Sequence, residues 1–157
     1  MISIIIPVYN SESTLQNLVD DIIKTLKQNF KYEIVLINDA SKDNSDQLCI
    51  DLVNKYDFVN YLSLSKNFGE HNAVMAGLNN CTGDYAVIMD DDLQHSSEAL
   101  LKLIKKGLEE KNNYDVIYTS FNKKEQFFFR NFGSKINDLI ANIVLKKSKN
   151  LYLSSFK

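Results

Sequence analysis

The chain opens on ISIIIPV (Ile2–Val8), seven residues nearly all apolar and mostly β-branched. An apolar run without polar alternation is the pattern of a strand buried on both faces. NSES follows and offers helix caps. Leu15, Leu18, Val19, Ile22, Ile23 and Leu26 then recur at the spacing of an amphipathic helix. The alternation repeats along the chain. YEIVLIN (Tyr32–Asn38) reads as a second buried strand, and the polar turn DASKDNSD leads into a helix carrying Leu48, Leu52 and Val53. FVNYLSLS (Phe58–Ser65) alternates like a strand, and KNFGEHNAVMAGLNN gives a loop and then a helix packed through small residues. DYAVIMD (Asp84–Asp90) is the fourth expected strand. SSEALLKLIKKGLEE is a helix with a Ser cap and Glu98 in its first turn, and YDVIYTS (Tyr114–Ser120) is a fifth strand.

Strands alternating with helices predict an α/β fold: βαβ units forming a mostly parallel sheet with helices on both faces. Such sheets bind ligands outside the carboxyl ends of their strands. Two polar clusters fall there, NDASKD after the second strand and DDDLQH after the fourth. No internal repeat and no low-complexity linker interrupts the pattern.

The length, 157 residues, suits one domain with a single core, and 45% apolar with 24% charged residues is ordinary for a globular protein. The net charge of −2 conceals an asymmetry. Residues 1–120 hold 10 Lys/Arg against 18 Asp/Glu, a net of −8, whereas residues 121–157 hold 8 against 2, a net of +6. The expected organisation is an acidic, site-bearing core (1–120) and a basic, aromatic, amphipathic segment (121–157) facing something anionic. In that segment Phe127, Phe128, Phe129 and Phe132 lie beside Lys123, Lys124, Arg130 and Lys135, and Ile136, Leu139, Ile140, Ile143 and Val144 keep helical spacing. A helix packed on the sheet explains the aliphatic stripe. A membrane surface explains aromatics beside cations, and an interface with another domain or copy is the competing reading. Nucleic acid is the poorer fit as a partner, because the acidic core repels phosphates, and none is expected. No run of 18 apolar residues exists, and the N-terminus lacks the basic region and cleavage site of a signal peptide. Cys49 and Cys81 show no metal spacing and read as reduced thiols.

The candidate chemistry centres on Asp90, Asp91 and Asp92, with no Lys or Arg within five positions on either side. Acids near a helix N-terminus are favourable in a solvated turn without any function. They are equally the ligands that Mg²⁺ or Mn²⁺ uses, commonly one or two carboxylates completed by substrate phosphates. A D-x-D pair can place one acid on the metal and the other on a ribose or sugar hydroxyl, while the cation offsets charge on a diphosphate leaving group. Asp39 and Asp43 read either as turn and cap residues or as acceptors for a base N–H or a ribose hydroxyl. His71 reads as structural or exposed. His95 lies near the acids in sequence and could approach donor phosphates.

SIIIPVYN, EIVLINDASKDNS, NFGEHNAVMAGLNNCTGDYAVIMDDDLQ and FRNFGSK occur in order and over essentially the whole chain. Together they resemble glycosyltransferase family 2, with its GT-A fold, and within it the polyprenyl-phosphate glycosyltransferases. That branch includes dolichyl-phosphate mannose synthases and undecaprenyl-phosphate sugar transferases. The resemblance implies inverting transfer of a sugar from a UDP- or GDP-sugar to a polyprenyl phosphate, assisted by Mg²⁺ or Mn²⁺, on the cytoplasmic face of a membrane. It puts Pro7, Tyr9 and Asp39 at the base and ribose, and Asp90 and Asp92 at the D-x-D acids, with Asp92 the better metal ligand. Asp91 is then a spacer beside the donor whose loss should matter least. Gln94 matches the Gln after the acids. Arg130 and Ser134 match an element gripping the acceptor phosphate, a task suited to a guanidinium and a hydroxyl. Glu12 lies one position after Ser11, where the family's acid more often falls.

Three departures stand out. HSSE replaces the family's Pro-Pro, with Ser able to cap the next helix. Phe121 occupies the place of an Arg whose charge Lys123 or Lys124 would supply. The family usually continues past this length, often into transmembrane helices, and LYLSSFK resembles the start of a further segment. Transfer to a polysaccharide hydroxyl, which needs a positioned Asp or Glu as base, and a non-catalytic sugar-nucleotide-binding domain are the alternatives. A nucleotidyltransferase would want a Gly-rich basic phosphate loop near the first strand, and none is present.

Overall fold

The computed structural model describes residues 1–26, 29–93, 96–111 and 113–119. Four βα units follow one another: β1 (Ile2–Val8), α1 (Leu15–Leu26), β2 (Tyr32–Asn38), α2 (Ser45–Lys55), β3 (Val59–Ser63), α3 (Glu70–Asn80), β4 (Tyr85–Ile88) and α4 (Ser97–Glu109). The sheet is parallel throughout, in the order β3-β2-β1-β4. These elements belong to one structural unit that includes Met1–Ile117.

Register explains why the first two strands are apolar at nearly every position. Ile4 lies opposite Ile34 on one side and Val87 on the other, and Ile34 lies opposite Val59. These side chains face α1, α2 and α4 and join Leu15, Leu18, Val19, Ile22, Cys49, Leu52, Leu100 and Ile104 in the larger core. The alternate residues Ile5, Val35, Ile37 and Ile88 face the other way and pack on Ala73 and Val74 of α3. With helices on both faces, β1 and the inner part of β2 have no solvent-facing side, and every residue of β1 is buried. The small residues expected in α3 serve close approach. A Cβ on Gly77 would lie 2.5 Å from Ile5 Cγ2 and 2.7 Å from Ile37 Cδ1. Ser96 caps α4 as expected, accepting the Ala99 N–H at 3.2 Å.

The strand order places a topological switch between β1 and β4. The chain steps outward from β1 to β2 to β3, then crosses the far face through α3 to reach the other side of β1. Clefts form at such points, outside the carboxyl ends of the diverging strands. Pro7 marks the divergence. Ile5 accepts the Met89 N–H at 3.0 Å, so alternate peptide groups of β1, including that of Pro7, face β4. The β1–β4 ladder ends at Ile5↔Ile88, and the missing Pro7 N–H therefore breaks no pair.

The fifth strand expected over Tyr114–Ser120 is not formed by the described residues Tyr114–Thr119. Its pattern is apolar, but Tyr114, Val116 and Tyr118 are 63%, 57% and 47% exposed, and of this run only Ile117, among the described residues, packs against the larger core. The third and fourth strands are shorter than their apolar patterns, closing at Ser63 and Ile88. The basic aromatic segment 121–157 lies outside the described residues. Among the described residues no helix is long and apolar enough to cross a membrane.

Candidate functional site

A cleft of about 330 Å³ opens at the carboxyl ends of β1, β2 and β4, lined by Pro7, Val8, Tyr9, Asp39, Asn67, Gly69, Glu70, Asp90, Asp91 and Asp92. Five of these ten are acids and none is Lys, Arg or His. Such a surface repels anions unless a cation enters with them.

Three loops build it, together with Asp39 just past the end of β2. The first is Tyr9–Glu12, after β1. Asn10 takes a left-handed conformation (φ 55°), which an Asn tolerates, and its N–H donates to Ser41 Oγ at 3.0 Å while its Oδ1 accepts the Lys42 N–H at 2.8 Å. The Ser11 N–H donates to Ser45 Oγ at 2.7 Å, and the Ser45 hydroxyl donates to Asp43 Oδ1 at 2.6 Å. The turns after β1 and β2 thus brace one another. The second loop precedes α3. Asp39, 3% exposed, accepts the Phe68 N–H on Oδ1 at 2.7 Å and the Gly69 N–H on Oδ2 at 2.8 Å. Gly69 sits at φ 89°, a conformation that disfavours other residues. The third loop carries the acids and continues to Leu93, at φ 60°. Ala40 (φ 55°) completes the set. All four positive-φ residues among those described lie in loops at this end of the sheet, and left-handed Ala and Leu each cost about 1–2 kcal/mol.

Asp90 and Asp91 are half-buried, and Asp92 is exposed. Asp91 accepts the Tyr9 N–H at 3.1 Å and the Ser11 hydroxyl. Burial raises its pKa from the ordinary carboxylate value. The donors Ser11 and Tyr9 pull it down, the Asp92 charge pushes it up again, and the net shift is upward. The residue read from sequence as a spacer is therefore built into the fold, because its carboxylate is directed at the β1 turn. Among the described residues no three His, Cys, Asp or Glu side chains converge as a metal cage. A cation held by one or two carboxylates and completed by phosphate oxygens needs no such cage.

The structure gathers Pro7, Tyr9, Asp39, Asp90, Asp91 and Asp92 from the sequence-derived set around one cleft. Glu12 is not among its lining residues. Its carboxylate instead accepts the Asn44 N–H at 2.9 Å, ahead of α2, and its own N–H donates to Asp43 Oδ2 at 3.1 Å. Asp43 serves the same turn. Burial pushes its pKa up, but hydrogen bonds from Ser45 and from the Glu12 and Ser45 amides outweigh this and hold it low. His71 is exposed on α3. Gln94, His95, Phe121, Lys123, Lys124, Arg130 and Ser134 lie outside the described residues. Val8, Asn67, Gly69 and Glu70 were missed. The polar stretch SKNFGE follows β3 as the other two clusters follow their strands, and counting strand ends would have found it.

The family description "Glycosyl transferase family 2" matches residues 3–155. An undecaprenyl-phosphate 4-deoxy-4-formamido-L-arabinose transferase of Proteus mirabilis is 37% identical over 143 residues, covering 89% of this chain and 43% of that protein. The chain thus spans less than half the length of such curated relatives. Glucosyl-3-phosphoglycerate synthase of Mycobacterium tuberculosis, solved with Mn²⁺, UDP and phosphoglyceric acid, superimposes with a TM-score of 0.70 at 15% identity, over 99% of this chain and 54% of that one. The mannosyltransferase PcManGT of Pyrobaculum calidifontis, solved with GDP-Man and Mn²⁺, gives 0.63 at 20% identity, over 82% and 37%. These likenesses identify the α/β architecture as the GT-A fold. With its family description matched over nearly its whole length, the chain belongs to glycosyl transferase family 2.

Proposed function

We propose that the chain holds the donor site of a glycosyltransferase that moves a sugar from a nucleotide diphosphate sugar to a polyprenyl phosphate, with inversion at the anomeric carbon. The observation that carries the donor site is the cleft at the β1–β4 switch, whose described lining residues include five acids and no Lys, Arg or His. A diphosphate enters such a cleft only with a cation, so the donor set fits Mg²⁺ or Mn²⁺ held through Asp92 and Asp90. When bound, the ion offsets the charge that develops on the departing nucleotide diphosphate.

In this reading Tyr9, 43% exposed at the cleft mouth, and Pro7 contact the base. Asp39 keeps a lone pair on each oxygen beyond its bonds to Phe68 and Gly69, and can accept from the base or ribose. Either a uracil or a guanine edge offers a suitable N–H. Asp90 and Gln94 complete the ribose and sugar contacts, and Glu12 acts on them only through the α2 turn. An acceptor phosphate oxygen attacks the anomeric carbon as the bond to the diphosphate breaks. That oxygen is already anionic near neutral pH, so no strong general base is required. Residues 1–120 form the donor half. Residues 121–157, with Lys124, Arg130 and Ser134, face the acceptor phosphate and the cytoplasmic membrane surface. The name of the Proteus relative supports the lipid phosphate acceptor over a polysaccharide hydroxyl.

Assaying the protein with UDP- and GDP-sugars and undecaprenyl phosphate, with oligosaccharide acceptors in parallel, tests the reading. Labelled lipid-linked sugar is expected. Transfer to oligosaccharide alone would replace the acceptor assignment, and nucleotide binding without turnover would leave a binding domain.

A further inference from the structure

The carboxylate between the two proposed donor-site acids is tied to the opposite wall of the cleft. Asp91 Oδ2 accepts both the Tyr9 N–H, at 3.1 Å, and the Ser11 hydroxyl. These partners flank Asn10 in its left-handed conformation, and the turn they form is fastened from its far side by Ser41 and Ser45. Beyond Ile5↔Ile88 the β1–β4 ladder has ended, and Pro7 has no N–H with which to extend it. Asp91 rejoins the two chains past that gap. A nucleotide diphosphate lying across the cleft must reach Tyr9 on one side and the acids of the β4 loop on the other, so this tie sets the span available to it.

We propose that Asp91 is a positioning residue: it holds the acid loop of β4 against the Tyr9–Ser11 turn and thereby fixes the separation between the nucleotide-contacting wall and the acids Asp90 and Asp92. The proposal rests on the donor-site reading above. It differs from a direct role on the ion in one checkable respect. Both hydrogen bonds end on a single oxygen, so the amide oxygen of an Asn can accept them without any charge. Ser11, which supplies one of the two donors, is 5% exposed and does not line the cleft, yet its hydroxyl should matter for the same reason.

The experiment is calorimetric titration of the protein with Mn²⁺ alone, and with UDP and GDP each with and without Mn²⁺. It is run for wild type, Asp91→Asn, Asp91→Ala and Ser11→Ala, with circular dichroism to verify folding. The readout is the factor by which Mn²⁺ strengthens nucleotide binding, a coupling of the order of 5- to 150-fold in typical linked sites. Asp91→Asn should keep most of this factor. Asp91→Ala should lose most of it and Ser11→Ala a substantial part, while Mn²⁺ alone binds each variant as it binds wild type. Wild-type coupling in Asp91→Ala would overturn the proposal and leave the donor-site reading intact. A loss in Asp91→Asn as deep as in Asp91→Ala would overturn it too, by showing that the charge is what counts. Failure of wild type to bind either nucleotide would remove the donor-site reading, and the proposal with it. Should Asp91→Ala not fold, Asp91→Asn and Ser11→Ala decide the matter on the same criteria, and unchanged coupling in Ser11→Ala counts against the tie.

Discussion

Asp39 holds Gly69 by accepting its N–H at 2.8 Å, and with its other oxygen it takes the neighbouring Phe68 N–H at 2.7 Å. A single buried carboxylate at the end of β2 thus fixes the entry to α3 and, with it, one wall of the cleft. Replacing Asp39 with Asn turns one acceptor into an amide donor facing an N–H. Hydrogen bonds to charged groups are worth about 1.5–3 kcal/mol, and a loss of about that size is expected by urea denaturation. Nucleotide affinity should fall with it.

Removing the cation should unmask the acid cleft. With EDTA, binding of UDP or GDP is expected to fall by at least about tenfold, the equivalent of about 1.4 kcal/mol, and Mn²⁺ or Mg²⁺ should restore it. Asp92→Ala should weaken Mn²⁺ binding without lowering the thermal midpoint, because its carboxylate is exposed. Calorimetry and a melting curve check the two halves.

Glu33 makes an acid-sensitive contribution to stability at the other end of the sheet. It is 5% exposed and accepts Ser3 Oγ at 2.6 Å, the Thr82 N–H at 2.6 Å, Thr82 Oγ1 at 3.0 Å and Asn60 Nδ2 at 2.8 Å. Burial pushes its pKa up, but the hydrogen bonds from Ser3 and Thr82 outweigh this and hold it below the ordinary value of 4.5. A folded pKa below the unfolded one means the stabilisation is complete above the unfolded value and is lost as pH falls through the folded one. Unfolding free energy measured from pH 7 down to pH 3 should therefore drop more steeply in wild type than in Glu33→Gln, which starts lower.

Gly83→Ala should destabilise the same corner. The new Cβ would lie 2.5 Å from Ser3 Oγ, 2.8 Å from Ser3 N and 3.0 Å from Ile2 C, and two of these are backbone atoms that cannot swing aside. Overpacking of this kind costs about 1–3 kcal/mol, read as a lower urea midpoint. Gly107→Ala, with nothing within 4 Å, serves as the tolerated control.

The two thiols should differ in reactivity. Cys49 is fully buried, and burial, reinforced by the charges of Asp46, Asp43 and Asp91, pushes its pKa up to about 12. Cys81 is partly exposed. Iodoacetamide at pH 8 should label Cys81 alone in the native protein and both after denaturation, as read by mass spectrometry.

Much of the sheet was legible along the chain because β1 and β2 are buried on both faces. Burial on both faces leaves an unbroken apolar run whose ends are the ends of the strand, and Ile2–Val8 and Tyr32–Asn38 match their patterns residue for residue. The same cue misled over the described residues Tyr114–Thr119, where Tyr114, Val116 and Tyr118 stay exposed and Ile117 reaches the core. An apolar pattern states what a segment could bury, and only neighbours supply the burial.

For the cleft, the sequence determined which residue types stand at the strand ends, since a parallel sheet puts every such end on one side. It therefore placed Asp39 and Asp90–Asp92 in one neighbourhood without any coordinates. It could not apportion their roles. Whether a carboxylate faces a ligand or a backbone amide depends on partners 29, 30, 80 or 82 residues away, such as Gly69 for Asp39 and Tyr9 for Asp91. Nothing local in the chain encodes those pairings. The tertiary fold decided that Glu12 and Asp43 build a turn, and that the middle aspartate joins two walls of the cleft.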